Sequence, residues 1–329
     1  MAECAPNNDA VTSLSWAPSA SLALLRRRAQ FLTTIRQFFA ERDVFEVETP
    51  ILSCAGTTDP HIESFATQSL AGGQYFLHTS PEFPMKRLLA AGSGPIYQLC
   101  RVFRNGDCGR IHNPEFTMLE WYRPGWDYHQ LMAELDALAQ LLLGTQAADR
   151  LTYADTFRHY TELDPHTADA SQFRQCARQR GINLCGDLGD NVDAWRDLLL
   201  THLVEPHLGM ARPVFIFDYP ASQAALARTR DEKIPVAERF ELYYRGVELA
   251  NGYQELIDPI QQRARFEADR AIRKQAGLRN VCLDENLIAA LQHGMPESSG
   301  VAVGIDRLFM LGEGIDRIDE VIAFSWEQA

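Results

Sequence analysis

RVFRNGDCGRIHNPEFTMLEWY, residues 101–122, sets a polar, glycine-containing loop between two strand-like runs. Such a loop can reach over a ligand held on a sheet. In the returning strand alternate residues share a face, so Phe116, Met118, Glu120 and Tyr122 point together. An aromatic plane, a carboxylate and a phenol on one face make a floor for a flat base and an amine; an aromatic core strand with a satisfied glutamate has the same pattern.

Outward from this hairpin, VFEVETPIL (44–52) alternates as a strand and is closed by Pro50, which removes a backbone donor and puts a strand end or edge there. Further short strands are expected at 75–79 and 214–218. Helices fall in blocks at about 19–42, through much of 131–209, and at 261–276 and 285–293. Strands joined by short turns, with helices not in strict alternation, predict an α+β fold with an antiparallel sheet flanked by helices. The first helix is expected to bury Leu22, Leu25, Ala29, Leu32, Ile35 and Phe39, leaving Arg26, Arg27 and Arg28 as solvated charge, with packing against a partner subunit as the alternative. Residues 1–15 are polar and read as a loose, flexible tail. With no repeat, low-complexity tract or linker, 16–329 is expected to form one domain.

Composition narrows the class. The formal charge of −13 over 329 residues, with no basic run, would repel a nucleic-acid backbone. No apolar run approaches the ~20 residues of a membrane helix, and the first ten residues lack a secretory layout, so a cytoplasmic protein without a membrane partner is expected. Seven scattered cysteines with no C-x-x-C pair read as reduced thiols.

Two further stretches carry chemistry. FELYYRGVELANGYQE (240–255) reads as a hairpin turning at Arg245-Gly246. In that register Glu241 lies opposite Ala250 and Tyr243 opposite Glu248, which makes Glu241 and Glu248 diagonal neighbours. Two close carboxylates repel unless a cation lies between them, and Mg²⁺ held by one or two carboxylates plus nucleotide phosphates suits that need; a solvated hairpin face is the plain alternative. Asn251 and Glu255 join the same face only if a bulge or turn intervenes near Gly252. GVAVGIDRL (300–308) leads small residues into a helix start, where glycine allows close backbone approach and Arg307 offers a fixed charge to phosphate. Helix packing around glycine with a surface arginine fits as well.

In order along the chain, these segments resemble the motifs of class II aminoacyl-tRNA synthetases, and in detail those of lysyl-tRNA synthetase. The 44–52 strand is similar to motif 1, the dimer-interface strand. Phe103-Arg104-Asn105 with His112-Asn113-Pro114-Glu115-Phe116 is similar to motif 2, and Gly304-Ile305-Asp306-Arg307 to motif 3. Thr79-Ser80-Pro81-Glu82 matches the segment that presents an acidic residue to the substrate amine. The resemblance implies that Arg104 contacts the α-phosphate of ATP and that Phe116 and Arg307 sandwich the adenine. Asn105, His112, Asn113, Leu249 and Gly304 complete the nucleotide site. Glu241 and Glu248 would hold Mg²⁺. Ser80, Glu82, Glu120, Tyr122, Asn251, Glu255 and Ala302 would line the amino-acid pocket, with Tyr122 and Glu255 facing the distal ammonium of lysine. Arg104 and Arg307 would be the catalytic pair, and the enzyme a homodimer.

Three departures are informative. Only about 20 residues precede the first helix, so the anticodon-reading barrel, and with it tRNA, is expected to be absent. Ala250 and Ala302 stand where the synthetases have glycine. Both features resemble the synthetase paralogues that acylate a protein, translation elongation factor P, with β-lysine. A truncated synthetase acting on tRNA or another carrier, or a non-catalytic paralogue, would share the fold. Gly106 departs from both branches, which have glutamate there; Asp107 is the candidate substitute.

Overall fold

The computed structural model describes residues 16–183, 186 and 188–329. The expected tail at 1–15, with Cys4 and also Cys185, lies outside the described residues. The chain divides into two compact units. The first takes the residues up to Gly125, Ile257–Glu297 and Ala302–Ala329; the second takes Trp126–Leu256 and Ser298–Val301.

The first unit opens with helix α1 (Leu22–Ala40), started by Ser21, whose hydroxyl accepts the Leu24 N–H at 3.2 Å. Its buried stripe is Leu24, Arg28, Ile35, Phe38 and Phe39. Leu22 and Ala29, expected inside, are exposed. The stripe is rotated because Phe39 stacks on Tyr97, with ring centroids 4.4 Å apart, and meets Trp121 edge-on at 5.3 Å; each such aromatic pair contributes about 0.5–1.5 kcal/mol beyond area burial. Arg28, expected in solvent, is buried: it ion-pairs with Asp306 and donates to Thr117 Oγ1 at 3.0 Å. A buried charge is tolerated here because a carboxylate meets it.

The 44–52 segment is less of a strand than its alternation implies. Only β1 (Phe45–Glu46) and β2 (Leu52–Ser53) form, on either side of Pro50. β2 pairs with β4 (Gln74–Leu77), which also pairs with β3 (Ala66–Gln68). β1 runs parallel to β5 (Ile96–Phe103), and β5 pairs antiparallel with β6 (Glu115–Pro124) from Ile96↔Tyr122 to Phe103↔Glu115. The hairpin expected around 101–122 therefore forms, with its polar loop between the two strands. Helices α2 (Glu82–Ala90) and α7 (Pro259–Gln275) pack on α8 (Glu285–Gly294), and α9 (Ile305–Gly312) packs on β6.

In the second unit α3 (Tyr128–Leu143) begins at a capping box made by Asp127 and Gln130 and stops at Gly144, whose φ of 66° ends the helix in the left-handed region. Strands β7 (Asp149–Thr152), β8 (Val214–Pro220), β10 (Val236–Tyr244) and β11 (Val247–Gln254) lie side by side in that order, with β9 (Thr229–Arg230) added to β10. β7 was not foreseen; it is short, largely exposed and parallel to β8, so it has no apolar alternation to betray it. Helices α4 (Tyr153–Thr161), α5 (Ala170–Gln179) and α6 (Val192–Leu199) bury Phe157, Phe173, Trp195 and Leu199 against β8. β12 (Ser298–Gly304) begins in the second unit and ends in the first. The architecture is α+β with antiparallel pairing dominant, as expected. Among the described residues no helix is long and apolar enough to cross a membrane, and the five described cysteines are free thiols.

Candidate active site

The first unit holds two clusters. One gathers four of the expected amino-acid residues. Ser80 precedes α2 and accepts the Glu82 N–H at 3.0 Å, while its own hydroxyl donates to Glu120 at 2.5 Å. Tyr122, two residues along β6 and so on the same face, donates to the other Glu120 oxygen at 2.6 Å. Lys86 was missed by the sequence reading, although it sits one helical turn after Glu82; its Nζ, 1 % exposed, donates to Glu82 at 2.6 Å. Burial first, and then the negative charge of Glu82, push Glu120 up to about 8 against the pull of Ser80, Tyr122 and Lys86. At neutral pH the cluster therefore keeps a proton that an ammonium group could displace.

The second cluster lies along the 104–113 loop and α9. Arg104 lies over the Phe116 ring, its Cζ 5.2 Å from the centroid. Its buried Nε has no hydrogen-bond partner. Arg307 donates from Nε to the Ile111 carbonyl at 3.2 Å and faces His112 Nε2 at 2.5 Å. Burial, then Arg307 and more weakly Arg104, depress the His112 pKa, so its neutral ring accepts from the guanidinium. Asn113 is committed to structure as well: Nδ2 donates to the Glu115 carbonyl at 2.6 Å, and Oδ1 accepts the Trp326 N–H at 3.0 Å. One Nδ2 hydrogen and one Oδ1 lone pair are left for a ligand. Gly304 caps α9, and Asp306, beside it, accepts the Thr117 N–H at 2.7 Å. Asn105 and Gly106 are exposed in the loop, Gly106 at a φ of 90° that disfavours any side chain there.

The second unit builds its site on the 240–255 hairpin. Arg245 and Gly246 turn it with φ of 50° and 73°, and Tyr243 faces Glu248 as expected. Glu241, however, lies opposite Asn251 rather than Ala250, because a bulge between the Leu242 and Tyr243 pairings leaves Leu249 unmatched. The bulge expected near Gly252 thus comes earlier, and it turns Asn251 onto the Glu241 face without help from glycine. Glu241 is buried and heavily engaged: Tyr219 and Tyr243 each donate to Oε2 at 2.5 Å, and Arg239 donates to Oε1 at 2.5 Å, with Asn251 Nδ2 at 3.4 Å. Burial and the Glu241 charge hold both phenols well above their usual range, so they remain donors. Burial works against Arg239, but Glu241, with Tyr253, Tyr219 and Glu248 behind it, keeps the guanidinium charged. Glu255 lies past β11, 2 % exposed, its N–H donating to the Ser298 carbonyl at 3.0 Å. Ala250 is buried in this unit, and Ala302 is half-buried in the first.

The profile of tRNA synthetases class II (D, K and N) matches residues 12–328. The chain belongs to this family. Curated relatives bear the name elongation factor P–(R)-β-lysine ligase: that of Edwardsiella ictaluri is 52 % identical over 320 residues, 96 % of this chain and 98 % of the relative. Those of Proteus mirabilis (50 % over 314 residues, 94 % and 97 %) and Pectobacterium carotovorum (49 % over 320 residues, 96 % and 98 %) are similar.

Class II synthetases of this kind use ATP, typically with Mg²⁺, and the donor set allows a test of fit. Two phenols fill Glu241 Oε2, which excludes bidentate binding, whereas Oε1 retains capacity beside Arg239 if Asn251 gives up its long contact. Mg²⁺ needs only one or two carboxylates, with waters and phosphates completing its shell. Monodentate Glu241 with half-buried Glu248 fits that, and no cage of three or more metal-binding side chains exists among the described residues. Arg239, Tyr219 and Tyr243 escaped the sequence reading. Arg239 and Tyr243, two positions either side of Glu241, were legible from strand alternation; Tyr219 is on another strand and was not.

Proposed function

We propose that this chain activates (R)-β-lysine with ATP as an aminoacyl-adenylate and transfers the acyl group to a lysine ε-amine of elongation factor P, the protein in its relatives' name. It acts as a cytoplasmic homodimer. The observation that carries the reading is the cluster of half-buried Ser80 and Glu82 with buried Glu120 and Tyr122, an acidic seat for a substrate amine. Asn251 and Glu255 supply the remaining polar contacts of the amino acid, and Ala250 and Ala302 add methyl groups that change which amine position fits.

In the first step a carboxylate oxygen of the amino acid forms a bond to the α-phosphorus and the bond to pyrophosphate breaks. No proton moves, so positioning and charge do the work. Arg104 meets the charge that grows on the α-phosphoryl group; Phe116 and Arg307 hold the adenine, with Asn105, His112, Asn113, Leu249 and Gly304 around the nucleotide. Mg²⁺, when bound, would neutralise phosphate oxygens, with Glu241 and Glu248 as its ligands. In the second step the ε-amine attacks the acyl carbon, AMP leaves, and the amine proton passes to solvent.

Incubating the protein with ATP, Mg²⁺, (R)-β-lysine and elongation factor P should add one β-lysyl residue to the factor, read by mass spectrometry; an unchanged mass would overturn the acceptor. A parallel arm with lysine and tRNA separates a tRNA-charging enzyme from this one.

A pH dependence follows from Glu120. Its folded-state value, about 8, lies above the ordinary 4.5, so the carboxyl is neutral at pH 6 and ionises toward pH 8. The KM for the amine substrate should therefore fall about tenfold from pH 6 to 8, the scale of a charge-assisted hydrogen bond. The stability that the proton lends the fold declines over the same rise. Glu120→Gln should flatten the KM profile; a wild-type profile already flat would remove Glu120 from the site.

A further inference from the structure

Residues 56–63 of the first unit form neither helix nor strand, so no ladder fixes their position. Side chains do, and most of them come from α7. Arg273, 1 % exposed, uses its guanidinium almost wholly on this segment: Nη1 donates to the carbonyls of Asp59 at 2.9 Å and Ile62 at 3.2 Å, and Nη2 pairs with the Glu63 carboxylate. Its Nε donates to the Arg279 carbonyl at 3.1 Å. One helical turn earlier, Asp269 accepts from the Thr58 hydroxyl at 3.2 Å. Within the turn, Asp59 Oδ1 accepts the His61 N–H at 2.7 Å. A fully buried guanidinium is expensive unless its donors are met, and here they are met by a segment with no other regular support.

That segment in turn supports the candidate nucleotide loop. The Glu63 carbonyl accepts the Asn105 N–H at 2.8 Å, and the Arg104 N–H is held on the opposite side by the Pro114 carbonyl at 2.9 Å. The backbone carrying the Arg104 side chain is thus gripped between Pro114, just before β6, and the 59–63 turn. We infer that Arg273 is a positioning residue for nucleotide binding: its buried guanidinium fixes the 59–63 turn, whose Glu63 carbonyl holds the Asn105 amide and with it the backbone of Arg104. It touches no reacting atom. A misplacement of the order of 1 Å in such a support is enough to lower a rate about a hundredfold. The inference rests on the reading of Arg104 as a phosphate contact.

The test uses the full chain with Arg273→Lys, which keeps the charge but not the forked geometry, and Glu63→Gln, which weakens the grip while leaving the Glu63 carbonyl in place. ATP–pyrophosphate exchange driven by (R)-β-lysine gives kcat and the KM for ATP; amide hydrogen exchange follows the 104–108 peptide. Arg273→Lys should raise the KM for ATP and also lower kcat per folded enzyme, together about a hundredfold in kcat/KM, and speed exchange at 104–108. Glu63→Gln should move both readouts the same way by a smaller factor, and it decides the matter if Arg273→Lys does not fold. A purely structural arginine would lower kcat in proportion to lost folded enzyme and leave KM alone; that result, or unchanged exchange at 104–108, overturns the inference. Absence of pyrophosphate exchange in the unmodified protein would instead overturn the ATP reading itself, while the amide-exchange arm still reports on the support.

Discussion

Arg104→Gln should lower the rate of pyrophosphate exchange by about 10³-fold, within the range found when a preorganised donor to developing charge is removed, and leave the melting temperature nearly unchanged. The two halves of this expectation have one cause. Arg104 has no carboxylate partner among the described residues; it rests on the Phe116 ring with Cζ 5.2 Å from the centroid, and its Nε is buried without a hydrogen bond. The charges around it are mixed: Arg307 and, more weakly, Arg104 depress His112, while Asp107 raises it. A cation that rests on an aromatic face without a carboxylate salt bridge contributes only about 0.5–1 kcal/mol to folding, and its field is available to an incoming polyanion. Arg28, tied to Asp306 and Thr117, and Arg239, tied to Glu241, are the contrast: their charges are matched inside the protein, so their loss should unfold before it inactivates. Thermal melting alongside exchange kinetics separates the cases. An Arg104→Gln protein that keeps a tenth or more of its activity would remove this residue from the phosphate site.

The same contrast marks how far the sequence could be read. The strand, polar loop and strand around 101–122 were legible because alternation and a glycine-containing loop are local signals, and the observed register of β5 with β6 follows them. So was the Arg245-Gly246 turn. Arg28 was not, because its partner Asp306 is remote in sequence and nothing local distinguishes it from the solvated Arg26 and Arg27 beside it. Asn113 was legible as a site residue, yet its amide serves the Glu115 carbonyl and the Trp326 N–H; that Trp326 comes back to this loop is a tertiary fact. The bulge is the most instructive miss. Glycine in a strand signals either a bulge or a close approach; the bulge or turn that Asn251 needs near Gly252 forms at Leu249, and Gly252 serves a close approach.

Gly252→Ala tests that second role and should be among the most destabilising single methyl groups that can be added to the chain. The backbone φ at Gly252 is not in the left-handed region, so the requirement is for space alone. A Cβ there would lie 2.3 Å from Phe240 Cζ, 2.7 Å from Phe240 Cε1 and 2.9 Å from the Gly300 carbonyl oxygen. Phe240 is itself fully buried and packs edge-on against Phe215, at 5.9 Å, so its ring has nowhere to retreat. Overpacking of this kind costs about 3 kcal/mol, which for a chain of 329 residues lowers the melting temperature by roughly 4 °C. Because Asn251 and Glu241 face one another next to the Gly252–Phe240 pair, the same strain should draw the Asn251 amide away from Glu241, which frees Oε1 and should lower the Mg²⁺ concentration needed for pyrophosphate exchange. Gly106→Ala is the control, since its Cβ would meet open space and only its φ of 90° resists. Shortening the ring decides the mechanism: Phe240→Leu should destabilise on its own, yet the double variant should be more stable than the two single losses summed. Rescue should stay incomplete, because the Gly300 carbonyl is backbone and remains in the way; strictly additive losses would show that the ring is not what the methyl group strikes.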